Sequence, residues 1–181
     1  MSKATIKQSL VSLDPVMVSE GWITDRFILW RPESAPAKLL ETVRYLPDGA
    51  YKLSAAGAAT RDESITVPSM SSLDRIADVE PGEELTMTGL THDRDVHQKI
   101  KGRIFHGGGA VVMVDDRLTP LWGHYRLHLA GTDSLGQYGK LAIVRGDDLV
   151  GVVMSVRMVG AVDEIVELAG LLGKPAAEIA A

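Results

Sequence analysis

The sequence predicts a mainly β, α+β fold: a strongly curved antiparallel sheet or β-barrel with a C-terminal helix and one or two short helices. Short segments in which apolar and polar residues alternate follow one another along the chain, with Gly, Asp or Pro at most of the joints. These joints are shorter than the crossover of about a dozen residues that a parallel pair needs. We therefore expect antiparallel strands joined mostly by hairpins.

Length and composition indicate one globular domain over residues 1–181. Hydrophobic residues make up 45% and charged residues 24%, as in ordinary globular proteins. The net charge of −5 argues against a nucleic-acid partner, and the longest apolar stretch, residues 149–156, is too short to span a membrane. The chain has no cysteine and no signal-like N-terminus, so a cytoplasmic protein without membrane contact is expected.

The first part of the chain predicts short strands around a short helix. Alternation predicts a strand over residues 4–10, and strand-forming side chains predict an extended segment over residues 22–30. Residues 34–46 fit either a helix or a hairpin. We favour a short helix near residues 36–40, followed by a hairpin closed by Pro47-Asp48-Gly49.

The rest of the chain is more regular. A short strand over residues 64–67 and a helix over residues 73–79 come first. An amphipathic helix over residues 161–172, stopped by Gly173 and Pro175, comes last. Between them, alternation predicts strands over residues 84–90, 97–106, 110–114, 121–129, 140–145 and 149–158.

Two of these strands are apolar on both faces. Residues 110–114 and 149–158 therefore need a cover on each side. One C-terminal helix of about 12 residues cannot supply the second cover for both. A barrel interior or another subunit must supply it, so we expect a homo-oligomer.

The strand over residues 121–129 carries the first candidate site. Residues two apart in a strand share a face, so His124, Arg126 and His128 lie on one face, opposite Tyr125, Leu127 and Leu129. If that polar face lines a pocket, Arg126 would hold an anionic oxygen and either histidine would move a proton. The alternative is a solvated outer face.

Two more residues are candidates to assist this chemistry. His106 and Asp115 would extend or orient the proton-transfer group, although a hydrogen-bonded core or rim histidine and a turn aspartate are the more common explanations. A metal is not predicted, because His124 and His128 stand roughly 13 Å apart along a strand. No phosphate-binding or dinucleotide-binding glycine motif is present, so no cofactor is expected.

The regular strands also carry candidates for a ligand pocket. Methionine adapts its shape to an irregular apolar ligand, although it also fills gaps in ordinary cores. The predicted pocket residues are Met87, Met113, Trp122 and Met154.

Together these features predict a cofactor-independent enzyme that transfers a proton on a small, partly apolar organic molecule, in the manner of a lyase, isomerase, cyclase or dehydratase. One alternative is a lipocalin-like protein that binds a small molecule without chemistry. Another is an accessory subunit whose apolar strand faces meet a partner.

Overall fold

The strands are antiparallel throughout, and a helix closes the described chain, as the sequence predicts. The computed structural model describes residues 13, 15–54, 56–93, 101–122, 125–132, 139–156, 158 and 162–172. The predicted strand over residues 4–10 lies outside these ranges. The helices are α1 (Ala37–Val43), α2 (Met70–Ala77), α3 (Thr119–Trp122) and α4 (Val162–Leu172).

The strands are short and follow one another closely. They are β1 (Val16–Ser19), β2 (Trp22–Thr24), β3 (Ile28–Trp30), β4 (Gly49–Leu53), β5 (Ala59–Arg61), β6 (Thr86–Asp93), β7 (Lys101–Gly107), β8 (Ala110–Asp115), β9 (Arg126–Thr132), β10 (Gly139–Arg145) and β11 (Asp148–Met154).

These strands form two sheets. The larger sheet has the order β5-β4-β1-β2-β3-β11-β10-β9, and the smaller one has the order β6-β7-β8. Isolated bridges join the two sheets at Glu84–His128 and at Met113–Val156. The strands therefore curve around a common core, and the described ladders stop short of a closed barrel.

Two tight turns shape the start of the larger sheet. In the β1–β2 turn both Glu20 and Gly21 have positive φ, the geometry of the type I′ turn that suits hairpin twist. In the β2–β3 turn Arg26 has a φ of 80°, a conformation that favours glycine. The Asp25 carboxylate accepts hydrogen bonds from the backbone N–H groups of Phe27 and Ile28, which holds this turn in place.

The part of the larger sheet around β1, β2 and β3 buries both of its faces. Strand pairing puts Val18 opposite Ile23 on one face of the sheet. This face belongs to the main core, which also includes residues of α1. The same pairing puts Met17 opposite Thr24 on the other face, where Leu73 and Ala77 of α2 pack against Trp22 and Leu29. α2 is therefore the second cover for this part of the sheet.

α4 covers the smaller sheet in the same way. All six residues of β8 are buried. The sequence predicts this for residues 110–114, and the structure adds Asp115. Val112 and Val114 join the main core, whereas Val111 and Met113 pack with Ala169 of α4. Both covers come from the chain itself, so two-sided burial does not by itself require a second subunit.

Several element predictions were wrong. The segment over residues 22–30 is a hairpin of β2 and β3, because the Asp25 side chain replaces the usual glycine signal for a turn. The predicted hairpin closed by Pro47-Asp48-Gly49 does not form, since β4 begins at Gly49 and forms its hairpin with β5 instead. Residues 64–67 form no strand. Within residues 121–129, the part up to Trp122 belongs to α3, and the strand begins at Arg126.

Candidate functional site

The predicted polar face of β9 lies on the outside of the sheet. Leu127 belongs to the main core and Tyr125 packs against it, with the rings of Tyr125 and Trp30 5.7 Å apart. Arg126 and His128 therefore lie on the opposite side. Arg126 Nη1 is 3.4 Å from Glu84 Oε2, and its Nη2 donates to the carbonyl oxygen of Gly146.

The imidazole of His128 has a fixed orientation. Its Nδ1 lies 2.8 Å from the carbonyl oxygen of Gly82. A carbonyl only accepts, so Nδ1 carries the proton and Nε2 of the neutral ring is the acceptor nitrogen. This is the tautomer of a general base, but Nε2 is buried and has no partner among the described residues.

The other proposed catalytic residues do not join His128. His106 pairs with Thr86 and His128 with Glu84, so the two histidines are two strand spacings apart and offset by two residues, a backbone separation of roughly 12 Å. Asp115 is buried at the far end of β8, where both of its carboxylate oxygens lie 3.0 Å from Nε of Arg117. His124 lies outside the described residues. The described part of this set does not assemble into one catalytic centre.

The predicted pocket residues are also dispersed. Met113 is fully buried beneath α4, whereas Met87 is 51% exposed. Trp122 is in α3, and its side chain lies outside the described part of the structure. Met154 is half-buried and lines a cavity of about 180 Å³ between α2 and the larger sheet, which we call the α2 cavity.

A larger pocket lies on the other face of the same sheet, beside the C-terminal end of α1. This α1 pocket has a volume of about 450 Å³, which is within the usual range for small-molecule sites. Its floor is apolar and largely buried, and it is formed by Val18, Ile23, Leu40, Val43 and Leu46.

The rim of the α1 pocket is charged. Glu33, Arg44 and Asp48 line it, and all three are exposed. Glu33 has a φ of 60°, and such strained residues concentrate at functional sites. Charged rim groups around an apolar floor can orient a ligand that has both an apolar body and a polar group.

Local geometry holds this rim in place. Gly21 belongs to the β1–β2 turn, and a side chain at this position would come within 3.2 Å of Pro32. Asp48 Oδ1 accepts the backbone N–H of Glu20 at 3.0 Å, which ties the segment after α1 to the same turn. The pocket is therefore bordered by turns that are fixed to each other.

Sequence reasoning missed the α1 pocket. Its residues come from separate elements between Val18 and Asp48, so no spacing rule connects them. Asp48 carries the closest signal, because the sequence predicts a turn at Pro47-Asp48-Gly49. Its true partner lies 28 residues away in the chain.

Other indicators of function are negative over the described residues. They contain no group of three or more His, Asp or Glu side chains placed to hold a metal ion. None of the helices described is long and apolar enough to cross a membrane. Comparison with protein-family models, curated proteins and solved structures finds no match, so the functional argument rests on the chain's own geometry.

Proposed function

We propose that this protein binds a small organic molecule in the α1 pocket. The pocket itself carries the proposal: about 450 Å³ of concave space with a buried apolar floor and a charged rim. Ligand sites have this composition, with apolar walls for affinity and a few polar groups for orientation. The ligand would have an apolar body that contacts Ile23 and Val43 and a polar group that reaches Arg44, Glu33 or Asp48.

Binding is favoured over catalysis because the proposed catalytic residues lack a shared cavity. Arg126, His128, His106 and Asp115 line neither the α1 pocket nor the α2 cavity. The α1 pocket contains no histidine among its described lining residues.

The test is a fluorescence titration with 8-anilinonaphthalene-1-sulfonate, a probe that has an apolar body and one charge. Leu40→Trp adds a ring over the pocket floor, and Lys38→Trp adds the same ring to an exposed position of α1. We expect saturable binding to the wild type and to Lys38→Trp, and affinity at least about tenfold weaker for Leu40→Trp. Equal binding by all three would refute the pocket assignment.

A native mass spectrum of the purified protein, recorded before and after denaturation, complements the titration. A co-purified small-molecule mass that is lost on denaturation supports a preformed site. If neither a bound mass nor saturable probe binding is found, the proposal fails.

A second candidate function is proton transfer by His128, and the hydrogen bond from its Nδ1 to the Gly82 carbonyl supports it. A substrate would have to expose Nε2, which is buried. The test incubates the wild type and His128→Gln in D₂O with a panel of small carbonyl acids and follows deuterium uptake by NMR. Uptake by the wild type alone supports this function, and equal rates in protein and buffer exclude it for that panel.

A further inference from the structure

We propose that the α2 cavity is a second binding site, specific for a short aliphatic carboxylate. It lies between α2 and the face of the larger sheet that carries Met17 and Thr24. The α1 pocket uses Val18 and Ile23, which point to the opposite face. The two sites are therefore separated by the sheet, and this proposal does not depend on the first.

The walls of the α2 cavity select an apolar chain. Its described lining residues are predominantly hydrocarbon and thioether groups, including Met17, Leu29, Leu73, Val152 and Met154. Two methionines give the walls adaptable side chains. At about 180 Å³ the cavity is slightly larger than one of about 150 Å³ that takes up benzene, so a chain of about six carbons fits.

The mouth of the α2 cavity selects the charge. Arg26 is the one ionisable residue among the described lining residues, and no ion pair of its guanidinium is found within the described structure. Lys140 reaches the same region, with Nζ 3.5 Å from the carbonyl oxygen of Ile76, another lining residue. Asp25 is not among the described lining residues, and its Oδ1 accepts from the backbone N–H groups of Phe27 and Ile28.

The lip of the cavity is apolar and accessible. Phe27 is 45% exposed and Ile76 is 37% exposed, and both line the cavity. Met154 N–H donates to the carbonyl oxygen of Phe27, so this lip is attached to the sheet by the β3–β11 pairing. A hydrocarbon chain would pass between these side chains while its carboxylate meets Arg26, whose planar guanidinium suits a carboxylate.

Three probes of equal chain length separate the contributions: hexanoate, hexan-1-ol and hexylamine. Binding is followed by NMR of protein labelled with ¹³C at the methionine methyl groups. Met17 and Met154 should shift in a saturable manner, and Met113 should not, since it is buried under α4. We expect hexanoate to bind about tenfold or more tightly than hexan-1-ol, and hexylamine to bind most weakly.

Variants then assign the charge to one residue. Arg26→Gln should reduce hexanoate affinity to that of hexan-1-ol and leave hexan-1-ol unchanged, whereas Arg26→Lys should retain most of the preference. Arg75→Gln, an exposed position of α2 outside the cavity, is the matched control and should change neither. Leu40→Trp should also leave hexanoate binding intact, which separates this site from the α1 pocket.

Three results would overturn the proposal. If hexylamine binds as tightly as hexanoate, the Arg26 guanidinium does not select the charge of the ligand. Hexanoate affinity unchanged in Arg26→Gln would show the same. Shifts spread evenly over all methionines would show that the chain does not enter this cavity.

Discussion

Asp25 offers a direct test of how the β2–β3 turn is stabilised. Its carboxylate is buried, and its Oδ1 accepts the N–H of Phe27 at 2.9 Å and the N–H of Ile28 at 2.8 Å. Burial raises the pKa of Asp25, against the opposing effects of these backbone hydrogen bonds and of the Arg117 charge. The Asp25 side chain therefore stabilises the fold as a hydrogen-bond acceptor, and it destabilises the fold when it carries a buried charge.

Two substitutions separate these effects. Asp25→Ala removes both hydrogen bonds and leaves two N–H groups without a partner, so at pH 3 we expect it to lower the free energy of unfolding by about 2–4 kcal/mol. Asp25→Asn keeps an acceptor oxygen in the same place and should match the wild type at this pH. Urea unfolding followed by circular dichroism measures both.

The pH dependence of Asp25→Asn then reports the buried charge. Because burial raises the pKa of Asp25, the folded chain keeps this proton at pH values where the unfolded chain has released it. The stability contributed by this group is therefore complete below the unfolded pKa of about 3.9 and falls as the pH rises through the folded pKa. Asp25→Asn should become more stable than the wild type between pH 3 and pH 7.

The control is Asp74→Asn, which changes an exposed carboxylate of α2. It should follow the wild type across the same pH range. The reasoning is refuted if Asp25→Asn and Asp25→Ala lose equal stability at pH 3, or if the advantage of Asp25→Asn declines as the pH rises.

Three further substitutions test the packing, each by urea unfolding. Gly151→Ala should lower the free energy of unfolding by about 3 kcal/mol or more, because the new Cβ would stand 2.6 Å from the carbonyl oxygen of Leu29 and separate β3 from β11. Gly102→Ala should cost about 1–3 kcal/mol, since its Cβ would overlap Met113, and combining it with Met113→Ala should cost less than the sum of the two single changes. Arg26→Gly should raise stability by about 1 kcal/mol, because glycine adopts the φ of 80° at this position without strain.

The sequence predicted the fold class well because its strongest signals are local. The separation of Leu127 from Arg126 and His128 follows from strand parity, and the burial of residues 110–114 follows from their uninterrupted apolar run. The position of α4 could be predicted from its apolar stripe. Its role as a cover for Met113 could not, because the stripe does not identify the strand that it meets.

The α2 cavity was less predictable from the sequence than the fold class, because it depends on long-range contacts. Arg26 and Met154 line one cavity although they are far apart in sequence. Of these two residues, the sequence predicts only Met154 as a pocket residue, because methionine adapts to irregular pockets. Arg26 carried no sequence signal, since an arginine in a turn is ordinary.

The two sheets meet along two seams, one near β9 and one at Val156, and the seams differ in the number of described backbone hydrogen bonds that cross them. Near β9, three backbone hydrogen bonds cross the seam, from Gly82 N to Leu129 O, from Leu85 N to Leu127 O and from Leu129 N to Glu83 O. At the other seam the described backbone contributes one bond, from Val156 N to Met113 O. We expect the smaller sheet and α4 to exchange their amide protons as one cooperative unit. This unit should separate from the larger sheet first at Val156, while the hydrogen bonds near β9 still hold.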